Sequence, residues 1–322
     1  MNSKRSSVAL LFCLAAAAPA FSWWDDGHKA LSLEATKDLS PTARDHVVKI
    51  LGSSDLASIS NWMDELRLVA YHTGPLGQDP EALKFFALFP NNQRWHYADM
   101  PLGTPAYSLD DPLADSHDLV HTLELAVDVL EGHGDPRISK LQALRMVVHF
   151  AGDVHQPLHV GNGYLATDAS GAVSIVTDPA ASKGLPNDKG GNDLFFGPGK
   201  SDELHAYWDG MLIEKIAGSK DPAVIADLIE KVEAAQGAGW KDSGDYHHWP
   251  EAWATESLAA ARTAYTGIVL GQVTLNEKGK IRKIAITLPP NYEAVCTPIV
   301  EERLAKAGYH LAELLNAIHW AD

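Results

Sequence analysis

The sequence predicts a mostly α-helical single domain, a bundle of many helices interrupted by one or two short β-hairpin excursions. Helix punctuation recurs along most of the chain, with proline near a first helical residue and glycine just past a last one. Near the C-terminus Ile299, Val300, Leu304, Ala305, Leu311, Ala312 and Leu315 keep helical spacing over several turns. At 322 residues, 46% hydrophobic and 21% charged, the chain suits a globular protein with a substantial core.

The first 22 residues stand apart. Lys4 and Arg5 precede an apolar run from Val8 to Ala20, and Ala20-Phe-Ser22 offers the small residues that a signal peptidase reads. That run is too short to span a bilayer comfortably, and no later stretch is apolar and long enough. The expectation is export to the periplasm or the extracellular side, with a signal peptide over 1–22 and one domain over 23–322. Ser40-Pro41 opens a helix that Gly52 closes. Asp115 or Ser116 starts an amphipathic helix ending near Gly132. Asp135-Pro136 starts a long one through Leu141, Leu144, Val148 and Gly152, halted by Pro157.

Residues 160–200 are rich in glycine and alternate in Ala172-Val-Ser-Ile-Val-Thr177, which predicts a hairpin. Further helices are expected from Asp221-Pro222, Pro250 and Thr297-Pro298, and a second hairpin over 269–288 around Asn276-Glu-Lys-Gly279. Cys13 leaves with the signal, so Cys296 alone remains and no internal disulfide can form. The formal charge of −16 argues against a broad basic face that grips duplex nucleic acid. It leaves room for an enzyme whose metal ions supply local positive charge.

The chemistry is concentrated in His149-Phe-Ala-Gly-Asp153-Val-His-Gln-Pro-Leu-His159. His149 and Asp153 stand four residues apart, on one face of a helix. His205 and Asp209 in Leu204-His-Ala-Tyr-Trp-Asp209 repeat the spacing. Two such pairs plus His159 describe a zinc site with more than one ion. The other histidines, His46, His72, His117, His121, His133, His247, His248, His310 and His319, read as surface or core residues.

These residues resemble the secreted zinc-dependent single-strand-specific nucleases of the S1/P1 type, whose fold is shared with bacterial zinc phospholipases C. The resemblance runs through Trp23-Trp-Asp-Asp-Gly-His28, Ser60-Asn-Trp-Met-Asp64-Glu-Leu-Arg67, Trp95-His96-Tyr-Ala-Asp99 and His149 to His159. It continues through Lys189-Gly-Gly-Asn192, Leu204 to Asp209 and Ala307-Gly-Tyr-His-Leu-Ala-Glu-Leu-Leu-Asn316. The resemblance implies three zinc ions. Asp64, His96, His149 and Asp153 hold the first. Asp153 bridges to a second, bound by His28 and by the freed α-amine and carbonyl of Trp23. His159, His205 and Asp209 hold the third.

Cleavage after Ser22 leaves Trp23 first with His28 five residues on, which agrees with the family's N-terminal ligand spacing. The resemblance also implies a phosphate-contacting Arg67 and a base position flanked by Tyr97 and Asp99. Asn192 is expected to order the site, and His155 to fall outside the ligand set. The implied activity is hydrolysis of RNA, single-stranded DNA and 3′-nucleotides by a zinc-activated hydroxide, leaving 5′-phosphate products. Arg67 and Asp153 are the catalytic side chains, and no stable protein partner is implied. A zinc phospholipase C is the alternative. Its last metal carboxylate is usually glutamate, where this chain has Asp209.

Overall fold

Side-chain caps open seven of the thirteen α-helices among the described residues. The computed structural model describes residues 23–199 and 202–321, so the expected signal peptide lies outside the described residues. α1 (Trp24–Lys37) carries Asp25 and Asp26 in its first turn, where carboxylates complement the helix dipole. α2 (Pro41–Leu51) starts as expected: the Ser40 hydroxyl accepts from the Ala43 N–H, and Gly52 closes the helix at φ 84°. α3 (Trp62–Val69) and α4 (Pro80–Leu88) follow, the latter capped by Asp79. A 3₁₀ turn, Asn92–His96, then leads into the short β1 (Met100–Pro101).

In the first half of the chain two helix starts differ from expectation. α5 (Leu119–Glu131) begins after Asp118, whose carboxylate accepts from the Val120 and His121 N–H groups. Asp115 instead accepts from His117 N–H in the preceding loop. α6 (Lys140–Asp153) begins after Ser139, which forms a reciprocal capping box with Gln142. Asp135 is spent on the Arg137 backbone and guanidinium. α6 ends at Asp153, before Pro157, which opens α7 (Pro157–Val160).

β2 (Gly161–Asn162) pairs in parallel with β1, and β3 (Tyr164–Thr167) with β4 (Val173–Val176) forms the first expected hairpin. After α8 (Pro179–Ser182) and β5 (Leu194–Phe195), α9 (Leu204–Ala206) runs through a π-turn, Tyr207–Met211, into α10 (Leu212–Ala217). α11 (Pro222–Gln236) and α12 (Trp249–Tyr265) begin at the expected signals. β6 (Val269–Leu275) and β7 (Ile281–Thr287) form the second hairpin, with the Asn276 side chain accepting from Lys278 and Lys280 N–H at the turn. β5 adds to β7 in parallel and makes this a three-stranded sheet, a pairing the sequence did not announce.

The last helix, α13 (Tyr292–Ala317), starts ahead of Thr297-Pro298 and contains Pro298 in its interior. Pro298 forfeits one backbone hydrogen bond. The helix nonetheless runs through it because Tyr292, Cys296, Val300 and Leu304 form a buried stripe at four-residue intervals. α13 packs on α1, α6 and α11, and α6 also packs on α5, around one contiguous core that includes Trp23, Phe150, Trp208 and Trp253. Among the described residues no helix is long and apolar enough to cross a membrane.

The capping box carries a stability prediction. Ser139→Ala should lower unfolding free energy by about 1 kcal/mol, read as a lower urea midpoint with an unchanged slope and undiminished catalytic rate.

Candidate metal centre

The C-terminal half of α6 is the axis of the site. His149 and Asp153 share one helical face, and neither is exposed to solvent. Three elements bring partners to that face. α1 delivers His28, whose Nε2 lies 3.2 Å from Asp153 Oδ1. α3 delivers Asp64, whose Oδ1 is 3.8 Å from His149 Nε2. The 3₁₀ turn delivers His96, whose Nδ1 is 2.9 Å from Asp153 Oδ2 and 3.1 Å from His149 Nε2. The rings of His28 and His149 stack at 4.0 Å. Gly152 permits that approach, since a Cβ there would lie 2.7 Å from the His28 ring.

A second group lies alongside. α7 supplies His159, and α9 with the π-turn supplies His205 and Asp209. His205 Nε2 is 3.3 Å from Asp209 Oδ2, and His159 Nε2 is 3.9 Å from Asp209 Oδ1. The widened turn holds Asp209 itself, a place where π-turns recur in proteins that use the residue. Gly190, at φ 62°, lets the 189–192 loop pass against the Leu158 carbonyl, where any Cβ would collide. Asn192 orders that loop by donating from Nδ2 to the Lys189 carbonyl at 2.6 Å.

Backbone carbonyls fix how the imidazoles face. Nδ1–H of His149 donates to Ser60 O at 2.7 Å, that of His159 to His96 O at 2.6 Å, and that of His205 to Gly190 O at 2.8 Å. In the neutral ring each bond holds the proton on Nδ1, so that Nε2 is the nitrogen that faces the cluster and can offer a lone pair to an ion. Gln156 ties the two halves together. Its amide donates to Asp209 Oδ1 at 2.5 Å, while its carbonyl accepts from Leu158 N–H and caps α7.

Buried polar atoms are nearly always hydrogen-bonded, yet this cluster breaks the rule repeatedly. Both His28 ring nitrogens, Asp64 Oδ2, Asp153 Oδ1, His159 Nε2, His205 Nε2 and Asp209 Oδ2 have no hydrogen-bond partner. Three triads of ligand atoms lie close enough to hold an ion: His28 with His149 and Asp153, Asp64 with His96 and His149, and His159 with His205 and Asp209. Imidazole and carboxylate are the donors zinc takes, so the donor set fits a bound metal.

Electrostatics without an ion is contradictory in the same way. Burial holds His28 and His205 down at about 4 and His96 at about 3. Burial also works on His149, but the Asp153 and Asp64 carboxylates outweigh it and push that ring up to about 9. Burial raises Asp64 to about 6 and takes Asp209 well above the usual carboxylate range.

Trp23 is fully buried beside this cluster. Its indole N–H donates to Gly152 O at 2.8 Å, its carbonyl accepts from Gly27 N–H at 2.9 Å, and its backbone is left-handed at φ 44°. On the rim, Arg67 lies 3.3 Å from Asp64 Oδ1 and donates to the Tyr97 hydroxyl at 3.4 Å. Tyr97 stacks one face on His159 at 4.6 Å. Asp99 is exposed, left-handed at φ 54°, and accepts from Asn162. His155 turns away, donating from Nδ1 to Ala151 O. Sequence reasoning missed Gln156, Gly152 and Gly190. A glycine inside a helix between two ligands, against its own propensity, was the available signal for Gly152.

Comparison with known proteins agrees with this geometry. Residues 23–319 match the S1/P1 nuclease family model. Nuclease PA3 of a Penicillium species is 27% identical over 315 residues, spanning 93% of this chain and 99% of that protein. Nuclease P1 of Penicillium citrinum matches to the same extent. Nuclease S1 of Aspergillus oryzae is 25% identical over 321 residues, 95% of this chain and 94% of its own length.

Two measurements probe the cluster. Zinc uptake by chelated protein at pH 7 should release protons, because the His149 ring, pushed up to about 9, holds one when no ion is bound. Uptake should therefore weaken as pH falls, seen by calorimetry in buffers of differing ionisation enthalpy. Gly152→Ala should displace His28 and lower bound zinc by one equivalent in elemental analysis.

Proposed function

The chain belongs to the S1/P1 nuclease family, and we propose that it is an exported zinc enzyme that cuts RNA and single-stranded DNA to 5′-phosphate products and also acts on 3′-nucleotides. The observation that carries this reading is the set of inward-facing, unpartnered ligand atoms around Asp153 and Asp209. Asp64, His96, His149 and Asp153 would hold one zinc ion, and His159, His205 and Asp209 another. A third would sit with His28, Asp153 and the amine and carbonyl of Trp23, once a signal peptide ending at residue 22 is removed. Residues 23–322 would then form the trinuclear domain, in the periplasm or outside the cell.

When bound, zinc would supply Lewis acidity and lower the pKa of water from about 16 to about 7, the chemistry needed for hydrolysis near neutrality. The chain's own residues do the rest. Arg67 presents a guanidinium fork beside Asp64, suited to the charge that develops on a phosphoryl group in its transition state. Asp64 and the Tyr97 hydroxyl hold that fork in place. Gln156 keeps the Asp209 carboxylate turned to its group. A base leaving the stack would meet the Tyr97 face turned away from His159, with the exposed Asp99 carboxylate as an acceptor for its edge. The match to nucleases over residues 23–319 favours this reading over a phospholipase C.

Arg67→Ala should lower kcat/KM on single-stranded substrates by about 10²–10³-fold with zinc content unchanged. Residues added ahead of Trp23 should remove one zinc and most activity; full activity in such a variant contradicts ligation by the amine. With a formal charge of −16, the protein should turn over mononucleotides and short single strands better than long duplex DNA. Rates on 3′-AMP, an oligonucleotide and a long duplex check this, and the duplex as best substrate would sink it.

A further inference from the structure

On the far side of His155, away from the nuclease centre, a second histidine-carboxylate group joins α13 to the loop before α12. His310 is 2% exposed, and its ring stacks on Trp253 at 5.0 Å with the planes 4° apart. Its Nδ1 lies 2.7 Å from His155 Nε2, and its Nε2 lies 3.1 Å from the Trp240 carbonyl oxygen. Asp242 Oδ2 is 3.7 Å from the same Nε2. His310, Asp242 and Glu313 together bring three ligand atoms within 4.8 Å of one another.

Proton counting makes this arrangement unusual. His155 Nδ1 faces the Ala151 carbonyl at 2.7 Å, which can only accept, so His155 carries its proton there. A neutral His155 then offers a lone pair at Nε2, and His310 must donate to it from Nδ1. That leaves His310 Nε2 bare, its lone pair pointing at a carbonyl oxygen and a carboxylate. Two neutral rings own two protons, and the three contacts need three.

We propose that a divalent zinc-class cation fills this position, held by His310 Nε2, Asp242, Glu313 and the Trp240 carbonyl, as a site separate from the nuclease centre. An imidazole that ligates through one nitrogen while donating from the other is the usual pattern of a metal-bound histidine. The 3.7 Å between His310 Nε2 and Asp242 Oδ2 is near the ~3.4 Å ligand-to-ligand edge of a tetrahedral zinc site. Trp253 donates its indole N–H to Asp242 Oδ2 at 2.6 Å, and Glu313 accepts from the Asp242 N–H, so both carboxylates are oriented.

Neither carboxylate forms an ion pair with a lysine or arginine among the described residues. Arg303 is turned to Glu256, and Lys306 to Glu256 and Glu302. Burial raises the carboxyls of Asp242 and Glu313, the Glu256 charge adding to the first and the Asp242 charge to the second, with Lys306 and Lys241 offsetting only part, and a cation relieves that deficit. A second proton on His310 is the competing solution, but burial and the Arg303 guanidinium hold that ring at about 4. Asp242 and Glu313 are half-buried, which leaves a way in for the ion.

Processed protein and an Asp242→Asn, Glu313→Gln double variant should be dialysed against micromolar Zn²⁺ and analysed for metal. Both substitutions keep acceptors for Trp253 and for the Asp242 backbone, so folding should survive. The variant is expected to hold one zinc fewer than the parent while its rate on single-stranded substrate stays within about twofold. Diffraction at the zinc edge should show an anomalous peak beside His310 Nε2 in the parent alone. Equal zinc in parent and variant, or no peak at His310 in a zinc-loaded crystal, overturns the proposal and assigns a third proton to the His155–His310 pair. Because the readout is a difference between two proteins, it stands apart from whether the nuclease centre holds three ions.

Discussion

Burying three carboxylates and five imidazoles within a few ångströms of one another is the constraint on which the structure turns. Stripping such groups of water costs several kcal/mol each unless partners compensate. Part of the compensation is internal: Asp153 accepts charge from the His149 and His159 rings and stays ionised well below the usual range, despite its burial. Asp209 faces the His205 and His159 rings, which burial keeps uncharged, accepts a hydrogen bond from the Gln156 amide, and goes the other way. The two carboxylates share a chemistry but not a state, and one class of partner, a cation between them and the inward nitrogens, reconciles both. The surrounding helices supply rigidity that such a cluster needs, since each of these eight side chains sits on a helix or tight turn.

Local signals were legible wherever the deciding contact is local. Ser40, Pro41 and Gly52 bound α2 as read, because a hydroxyl cap, a fixed φ and a left-handed glycine act within one turn. Asp135 and Ser139 are both competent caps, and only the reciprocal Gln142 bond selects Ser139. Asp115 and Asp118 pose the same choice. The early start of α13 was hidden because Thr297-Pro298 reads locally as a helix start, whereas the helix is already under way, held by a buried stripe visible only once the partners of Tyr292 and Cys296 are in place. The β1–β2 and β5–β7 pairings join residues 61 and about 90 positions apart in parallel, which no local pattern encodes.

The site shows the same division. The His-x-x-x-Asp spacing and the resemblance named the residues, and His28, Asp64, His96, His149, Asp153, His159, His205 and Asp209 do converge. What the sequence could not hold is the layer outside them. The carbonyls of Ser60, His96 and Gly190 orient three rings, and every residue in a chain has a carbonyl. Histidine 310 passed as ordinary for a related reason: its significance lies in proton bookkeeping with His155, 155 positions away.

The link from Asp153 to His159 must be stiff, because it spans both candidate metal groups and is not itself helical throughout. After α6 ends, its final carbonyls need donors. Ser257 on α12 donates to Val154 O at 2.5 Å, and Arg303 on α13 donates to His155 O at 3.2 Å. Arg303 also reaches the Trp253 carbonyl and the Ser257 hydroxyl, and is only 3% exposed. A guanidinium at the C-terminal end of α6 complements the helix dipole where partial negative charge accumulates. Glu256 beside it keeps that cation from standing unpaired. The distance between the Asp153 and Asp209 groups is thus set from behind, by α12 and α13, through backbone atoms that touch no ligand.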